Sequence, residues 1–162
     1  WANVRSRFEG SPLFLGALAL DQADNADSTF DTIFACEVIE HLDDALLEDF
    51  AGRLHNLAKQ DTRIIITTPN SEDLAASDIY CPACNHVFHR WQHLRSWSPD
   101  SLATFLENRG FQVEKDFATN FKLAEHDLKS AYHKWKALRK KRRNIEKGKT
   151  SGPHLVAVAR RA

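Results

Sequence analysis

The sequence predicts an α/β layered sheet, and three observations predict it. Short β-branched or apolar runs at 33–36, 63–68 and 154–159 read as strands. Leu46, Leu47, Phe50, Leu54 and Leu57 recur at three- and four-residue steps between the first two runs, which is an amphipathic helix. Ser98-Pro99-Asp100 opens another helix ahead of a further strand at 111–114, and this strand–helix alternation is the pattern of a layered sheet.

Taken in order, residues 2–8 end a helix and Gly10-Ser11-Pro12 breaks it. Residues 13–15 read as a short strand reaching Gly16, followed by an acidic loop with Asp21, Asp24 and Asp27. The strand at 31–36 comes next and reads as fully buried, of the parallel kind. Pro69-Asn70 stops the strand at 63–68. A long irregular stretch, 71–97, carries two of the three cysteines and three of the eight histidines. Ser98 is a good N-cap, Pro99 suits the first helical position, and Gly110 closes that helix. A basic helical segment, 122–148, leads through Gly152-Pro153 to the last strand. There is no internal repeat or low-complexity linker, so a single domain is expected.

The run Ile33-Phe34-Ala35-Cys36 ends abruptly in Glu37-Val38-Ile39-Glu40-His41. In an open α/β sheet the carboxyl ends of the strands face the ligand crevice, so polar groups there are where chemistry is expected. The spacing also puts Glu37, Glu40 and His41 on one side of a helical first turn. The competing reading is an acidic helix start favoured by the dipole.

Composition narrows the partners. The 22 basic and 22 acidic residues cancel, so the overall field calls for neither nucleic acid nor membrane. No apolar run approaches a membrane span. Three cysteines, two in a Cys-x-x-Cys, suit a reducing cytoplasmic setting and metal binding better than a disulfide framework. The chain opens on Trp1 and contains no methionine, which reads as a fragment or processed product.

An ordered set of short motifs then resembles a known family. Phe30-Asp31 enters a strand, Cys36-Glu37-Val38-Ile39-Glu40-His41-Leu42 ends it, and Thr67-Thr68-Pro69-Asn70 follows the next strand. Trp97-Ser98-Pro99-Asp100-Ser101-Leu102 opens a helix before Gly110-Phe111. From about residue 7 to residue 121 this resembles the C-terminal two-thirds of a class I S-adenosylmethionine-dependent methyltransferase. The resemblance implies a Rossmann-like seven-stranded sheet that is N-terminally incomplete, because the family's glycine-rich turn and the acid after its second strand are absent. It thus implies a partial domain over 1–162, in which the residues themselves mark two inserts: a Cys/His-rich, zinc-binding one at 71–97 and a basic helical one at 122–150. S-adenosyl-L-methionine is the implied cofactor, with Asp21 near the adenine and the backbone at Cys36 and Glu37 against the methionine part. These 162 residues alone are expected to bind it poorly and to be inactive.

Two metal sets compete. Glu37, Glu40, His41 and His93 resemble the Glu-x-x-Glu-His motif and distant histidine of ubiquinone-pathway O-methyltransferases and small-RNA 2′-O-methyltransferases. A divalent ion such as Mg²⁺ there lowers the pKa of a bound hydroxyl. Without a metal, His41 or His93 takes the hydroxyl proton. The second set is Cys81, Cys84, His89 and His93, with His86 as a spare ligand, whose types and spacing suit structural Zn²⁺. His93 cannot serve both ions; if zinc takes Cys81, Cys84, His86 and His89, His93 stays with the acids.

Trp91 and Trp97 either cover the cluster or wall an aromatic acceptor. The lysines and arginines of 134–149 are either a solvated face, a contact for RNA phosphate, or a contact for an anionic lipid surface. The implied activity is methyl transfer to an oxygen of a small-molecule acceptor, with RNA 2′-O-methylation as the same-fold alternative and a non-catalytic zinc-stabilised binding module as the different-class one.

Overall fold

The computed structural model describes residues 2–14, 16, 17, 19, 30–121 and 152–162. A short helix α1 (Ala2–Phe8) precedes strand β1 (Phe30–Cys36), helix α2 (Asp44–Leu57) and the long strand β2 (Ala58–Pro69). A turn of 3₁₀ helix and the hairpin β3 (Asp78–Cys81) and β4 (His86–His89) follow, then α3 (Pro99–Glu107), β5 (Phe111–Thr119) and β6 (His154–Arg161).

One four-stranded sheet has the order β1-β2-β6-β5. β1 runs parallel to β2, with Cys36 beside Thr67. The last strand, β6, enters antiparallel between β2 and β5, placing His154 opposite both Pro69 and Thr119. The ends of β1, β2 and β5 and the start of β6 therefore share one edge.

The helices form where local chemistry directs. Asp43 caps α2 by accepting the Leu46 N–H at 2.8 Å. Ser98 and Ser101 cap α3 reciprocally, with Pro99 leading the helix. Leu47, Phe50, Ala51 and Leu54 of α2 and Leu102, Phe105 and Leu106 of α3 join Ile64, Ile66, Leu155 and Ala157 of the sheet in one buried core.

Four expectations change. Among the described residues β1 is the edge strand of this sheet and one of its faces is uncovered: Ala35 is buried, whereas Phe34 is 66% exposed. Pro12 and Leu13 form a turn closed by the Phe14 N–H on the Ser11 carbonyl, so Leu13 and Phe14 are not strand, and Leu15 lies outside the described residues. Glu37, Glu40 and His41 precede α2 and do not lie on its first turn. Glu37 takes φ 53°, left-handed backbone that cannot begin a right-handed helix, and the helix waits for the Asp43 cap. The 71–97 stretch is not structureless, because β3 and β4 pair across it.

Gly152 has a packing reason. A Cβ there would stand 2.5 Å from the Thr119 carbonyl oxygen, so only glycine lets the entry to β6 pass the end of β5. Asn70 fixes the same crossing, donating from Nδ2 to the Gly152 carbonyl at 3.0 Å and from its backbone to Pro153 at 2.9 Å.

Candidate functional site

The edge where the strands end opens into a cleft of about 640 Å³. Glu37, Glu40 and His41 from the turn after β1 line it, together with Glu72, Trp91 and His93 from the hairpin region and His154 from β6. Threonines of β2 aim the two acids. Thr67 donates its hydroxyl to Glu37 Oε1 at 2.8 Å, and the Glu37 N–H returns to the Thr67 carbonyl at 2.9 Å. Thr68 donates to Glu40 Oε2 at 3.1 Å.

His93 reaches this turn because the two segments are pinned together. Leu94 N–H donates to the Glu40 carbonyl at 2.8 Å, and the Arg95 guanidinium donates to the Leu42 carbonyl at 2.7 and 3.0 Å. As a result the rings of His41 and His93 sit edge to face with centroids 4.8 Å apart. Ligand atoms of Glu40, His41 and His93 all lie within 4.8 Å of one another.

The polarity of the three side chains is specific. Glu40 is 1% exposed and its Oε1 has no hydrogen-bond partner. Burial pushes its carboxyl above the ordinary value, against hydrogen bonds from its own backbone and from Thr68. His41 Nδ1 faces the Gln92 carbonyl at 3.3 Å, and a carbonyl accepts only, so Nδ1 carries the proton. In the neutral ring this leaves the lone pair on His41 Nε2, 3.9 Å from Glu40 Oε1. With Glu40 ionised and the His41 ring neutral, the orphaned Oε1 and Nε2 are two acceptors without a donor, an arrangement a divalent cation would fit.

The sequence-derived candidates fall into place unevenly. Glu40, His41 and His93 come together. Glu37 lines the same cleft but is turned toward His154, whose Nδ1 lies 3.7 Å from Glu37 Oε2. Cys36 ends β1 in an exposed position. Asp21 and the basic segment 134–149 lie outside the described residues.

The cysteine set is not drawn into one group. On the hairpin Cys81 faces His86 while His89 faces Asp78 at the other end, an offset of three residues or about 10 Å along the strands. His89 and His93 instead stack at 4.6 Å and share Glu72. Cys81 and Cys84 remain at the hairpin turn, where the backbone and side chain of Cys84 and the backbone of Ala83 lower the Cys81 pKa by hydrogen bonding. The tryptophans divide: Trp91 lines the cleft, and Trp97 is buried against Phe105 in the core.

Sequence reasoning missed Glu72, His154 and the aiming role of the two threonines. Thr67-Thr68 ends a strand and so was legible as a crevice position. Glu72 and His154 were not, because each acts through partners at least twenty residues away.

Comparisons with known proteins agree with this architecture. A family model described as a methyltransferase domain matches residues 13–116. A search of curated protein sequences finds no significant match. Among solved structures, a 1,6-didemethyltoxoflavin-N1-methyltransferase from Burkholderia thailandensis, with 1,6-didemethyltoxoflavin and S-adenosylhomocysteine bound, aligns at a TM-score of 0.55 and 16% identity, covering 100% of this chain and 56% of that one. An S-adenosylmethionine-dependent methyltransferase from Clostridium acetobutylicum gives 0.59 and 9%, covering 99% and 70%. A methyltransferase from Archaeoglobus fulgidus, likewise dependent on S-adenosylmethionine, gives 0.53 and 22%, covering 91% and 66%. This chain thus spans little more than half the length of the first of them. The family match over residues 13–116 places the protein in the methyltransferase-domain family, and its fold is that of the S-adenosylmethionine-dependent methyltransferases above.

Proposed function

We propose that this chain carries the acceptor side of an S-adenosylmethionine-dependent O-methyltransferase, with Glu40, His41 and His93 holding a divalent cation. The observation that carries the reading is the buried Glu40 oxygen without a hydrogen-bond partner, facing His41 Nε2. One carboxylate and two imidazoles form a softer donor set than the all-oxygen sets magnesium prefers, so manganese is the better probe ion. Such an ion supplies a lowered pKa to a hydroxyl bound against it.

The chain's own residues do the rest. The acceptor oxygen attacks the methyl carbon of the sulfonium, the carbon–sulfur bond breaks, and S-adenosylhomocysteine leaves. With the ion held by Nε2 of His41 and His93, neither ring would have a nitrogen free, and the hydroxyl proton would leave to the Glu37 carboxylate at the rim or to solvent. In the metal-free version it goes to Nε2 of His41 or His93, since imidazole titrates near neutrality. Glu37, held by Thr67 toward His154, places a second carboxylate at the rim, where it can orient the acceptor. Trp91 offers a flat apolar wall for the acceptor's body. The cleft volume is within the range typical of small-molecule sites, which supports a small hydroxylated acceptor. The RNA alternative rests on the Glu37–His41 motif, which lines this cleft, and on the basic segment, which lies outside the described residues.

We also propose that Cys81 and Cys84 bind zinc, with His86 as third ligand in place of His89. The His86 Nδ1 proton is held by the Cys84 carbonyl at 2.8 Å, which leaves Nε2 as the ring's ligand atom. Among the described residues no helix is long and apolar enough to cross a membrane.

In the full-length protein, Glu40→Ala or His41→Ala should lower methyl transfer to a panel of small hydroxylated acceptors by about a hundredfold or more. The amount folded, read by circular dichroism, should change little. Unchanged turnover in either variant would return these groups to a merely structural role.

Stability should carry a signature of Glu40. Its pKa is raised on folding, so the protonated form contributes stability that is complete below the unfolded value and lost as pH rises through the folded one. Glu40→Gln cannot ionise and should melt higher than the parent at neutral pH in the presence of chelator. The difference should close below about pH 4, where the carboxyl is protonated in both states. Equal melting at neutral pH would contradict a burial penalty at this position.

For the cysteines, elemental analysis of protein purified without chelator should give close to one zinc per chain, absent after joint replacement of Cys81 and Cys84 by serine. Zinc-free protein from the same preparation would end that proposal.

A further inference from the structure

We infer that Glu72 is a positioning residue for the candidate cation site, fixing the His93 proton on Nδ1 so that Nε2 is the nitrogen offered to Glu40 and His41. The inference rests on the cation reading of that site and deepens it.

Glu72 follows the end of β2 by three residues. Its loop is set by Ser71, whose backbone takes φ 49° and donates to the Trp97 carbonyl at 2.7 Å. One carboxylate oxygen of Glu72 lies 2.5 Å from His93 Nδ1, and the other lies 3.5 Å from His89 Nε2. All three side chains are largely sheltered, at 19%, 10% and 6% exposure for Glu72, His93 and His89. In such a place a short carboxylate–imidazole bond is little weakened by competing water.

Two arrangements could be read into this cluster, because Glu72, His89 and His93 also bring ligand atoms within 4.8 Å of one another. The backbone decides between them. His89 Nδ1 accepts the N–H groups of Trp91 at 3.3 Å and of His93 at 3.1 Å. That nitrogen is therefore unprotonated, and the single proton of the neutral ring sits on Nε2, facing Glu72. A metal among Glu72, His89 and His93 would need the His89 Nε2 lone pair. The displaced proton would move to Nδ1, into two N–H groups already pointing there. The two backbone donors on His89 Nδ1 and the Glu72–His93 hydrogen bond set the trio's arrangement, while His89 Nε2 stands 3.5 Å from Glu72 without a hydrogen-bond partner.

The same proton count orients His93. With Nδ1–H donated to Glu72, the remaining lone pair is on Nε2. His41 has the matching arrangement, its Nδ1 proton given to the Gln92 carbonyl. Both imidazoles thus carry an acceptor behind the ring and a free nitrogen in front, the relation seen where a second partner orients a metal-ligating histidine and raises its basicity. In that role His93 has the Glu72 carboxyl group, whereas His41 has a backbone carbonyl.

Long-range proton–nitrogen correlation spectra of the imidazole rings, recorded on metal-free protein above neutral pH, test the assignment without any acceptor. His93 should be protonated on Nδ1 and His89 on Nε2. In Glu72→Ala, His93 should shift toward the Nε2-protonated form while His89 keeps its state, its backbone donors being intact. Manganese affinity by electron paramagnetic resonance should fall about 10–100-fold in that variant. It should recover in part in Glu72→Gln, whose amide oxygen still accepts the Nδ1 proton. Nε2 protonation of His93 in the parent protein would overturn the inference, and that reading requires no variant to fold. So would unchanged manganese affinity in a Glu72→Ala protein whose His93 tautomer had switched. A parent that binds no manganese would defeat the cation reading, and the ring tautomers alone would then decide the role of Glu72.

Discussion

The site depends on the docking of the segment leaving the hairpin onto the turn that leaves β1. Four bonds make it: Leu94 N–H to the Glu40 carbonyl, two from Arg95 to the Leu42 carbonyl, and His41 Nδ1 to the Gln92 carbonyl. They join residues more than fifty positions apart and satisfy carbonyls that would otherwise lack partners next to a buried acid. Arg95 also reaches Asp44 at the start of α2, so the contact ties the helix to the same seam. Hydrogen bonds to charged donors are worth about 1.5–3 kcal/mol net, which makes Arg95 the strongest single clasp. Without this seam His93 would have no reason to approach His41.

What the seam encloses is costly by itself. Glu40 is buried with one oxygen unpaired, and a carboxylate in that state raises its pKa or recruits a partner. Glu37 stands in left-handed backbone immediately after the strand, a conformation that for a non-glycine residue is uncommon and concentrates at functional sites. Both are held by the paired threonines of β2, one strand over. The parallel register that sets Cys36 beside Thr67 thus decides which acid meets which hydroxyl. Sheet register is the link between the fold and the chemistry.

Local signals in the sequence translated well where a few adjacent residues determine the outcome. Ser98-Pro99 and Ser101 make a cap with their own side chains, and the Leu and Phe spacing of α2 needs only one face of the sheet to bury against. The motif at Glu37–His41 was legible as chemistry at a strand end, but its shape was not: i, i+3 and i+4 spacing suggests a helix, and the backbone at Glu37 forbids one. The Cys and His spacing suggested one cluster of four ligands, but hairpin pairing puts His89 at the far end from Cys81. Spacing cannot reveal register. Glu72 carried no signal of its own, since an acid two residues past Pro69-Asn70 reads as a solvated loop until His93 is folded against it. Asp21 and the basic stretch at 134–149 fall outside the described residues, so their readings stand where the sequence left them.

The central claim is that Glu40, His41 and His93 converge on a cation while Glu72 and His89 stand behind them. Anomalous diffraction from crystals soaked in manganese tests it most directly. The account predicts a single strong peak within coordination distance of a Glu40 oxygen and of Nε2 on both His41 and His93. A peak bounded by Glu72 and His89, or no peak at the cleft at a manganese concentration that saturates other sites, would contradict it.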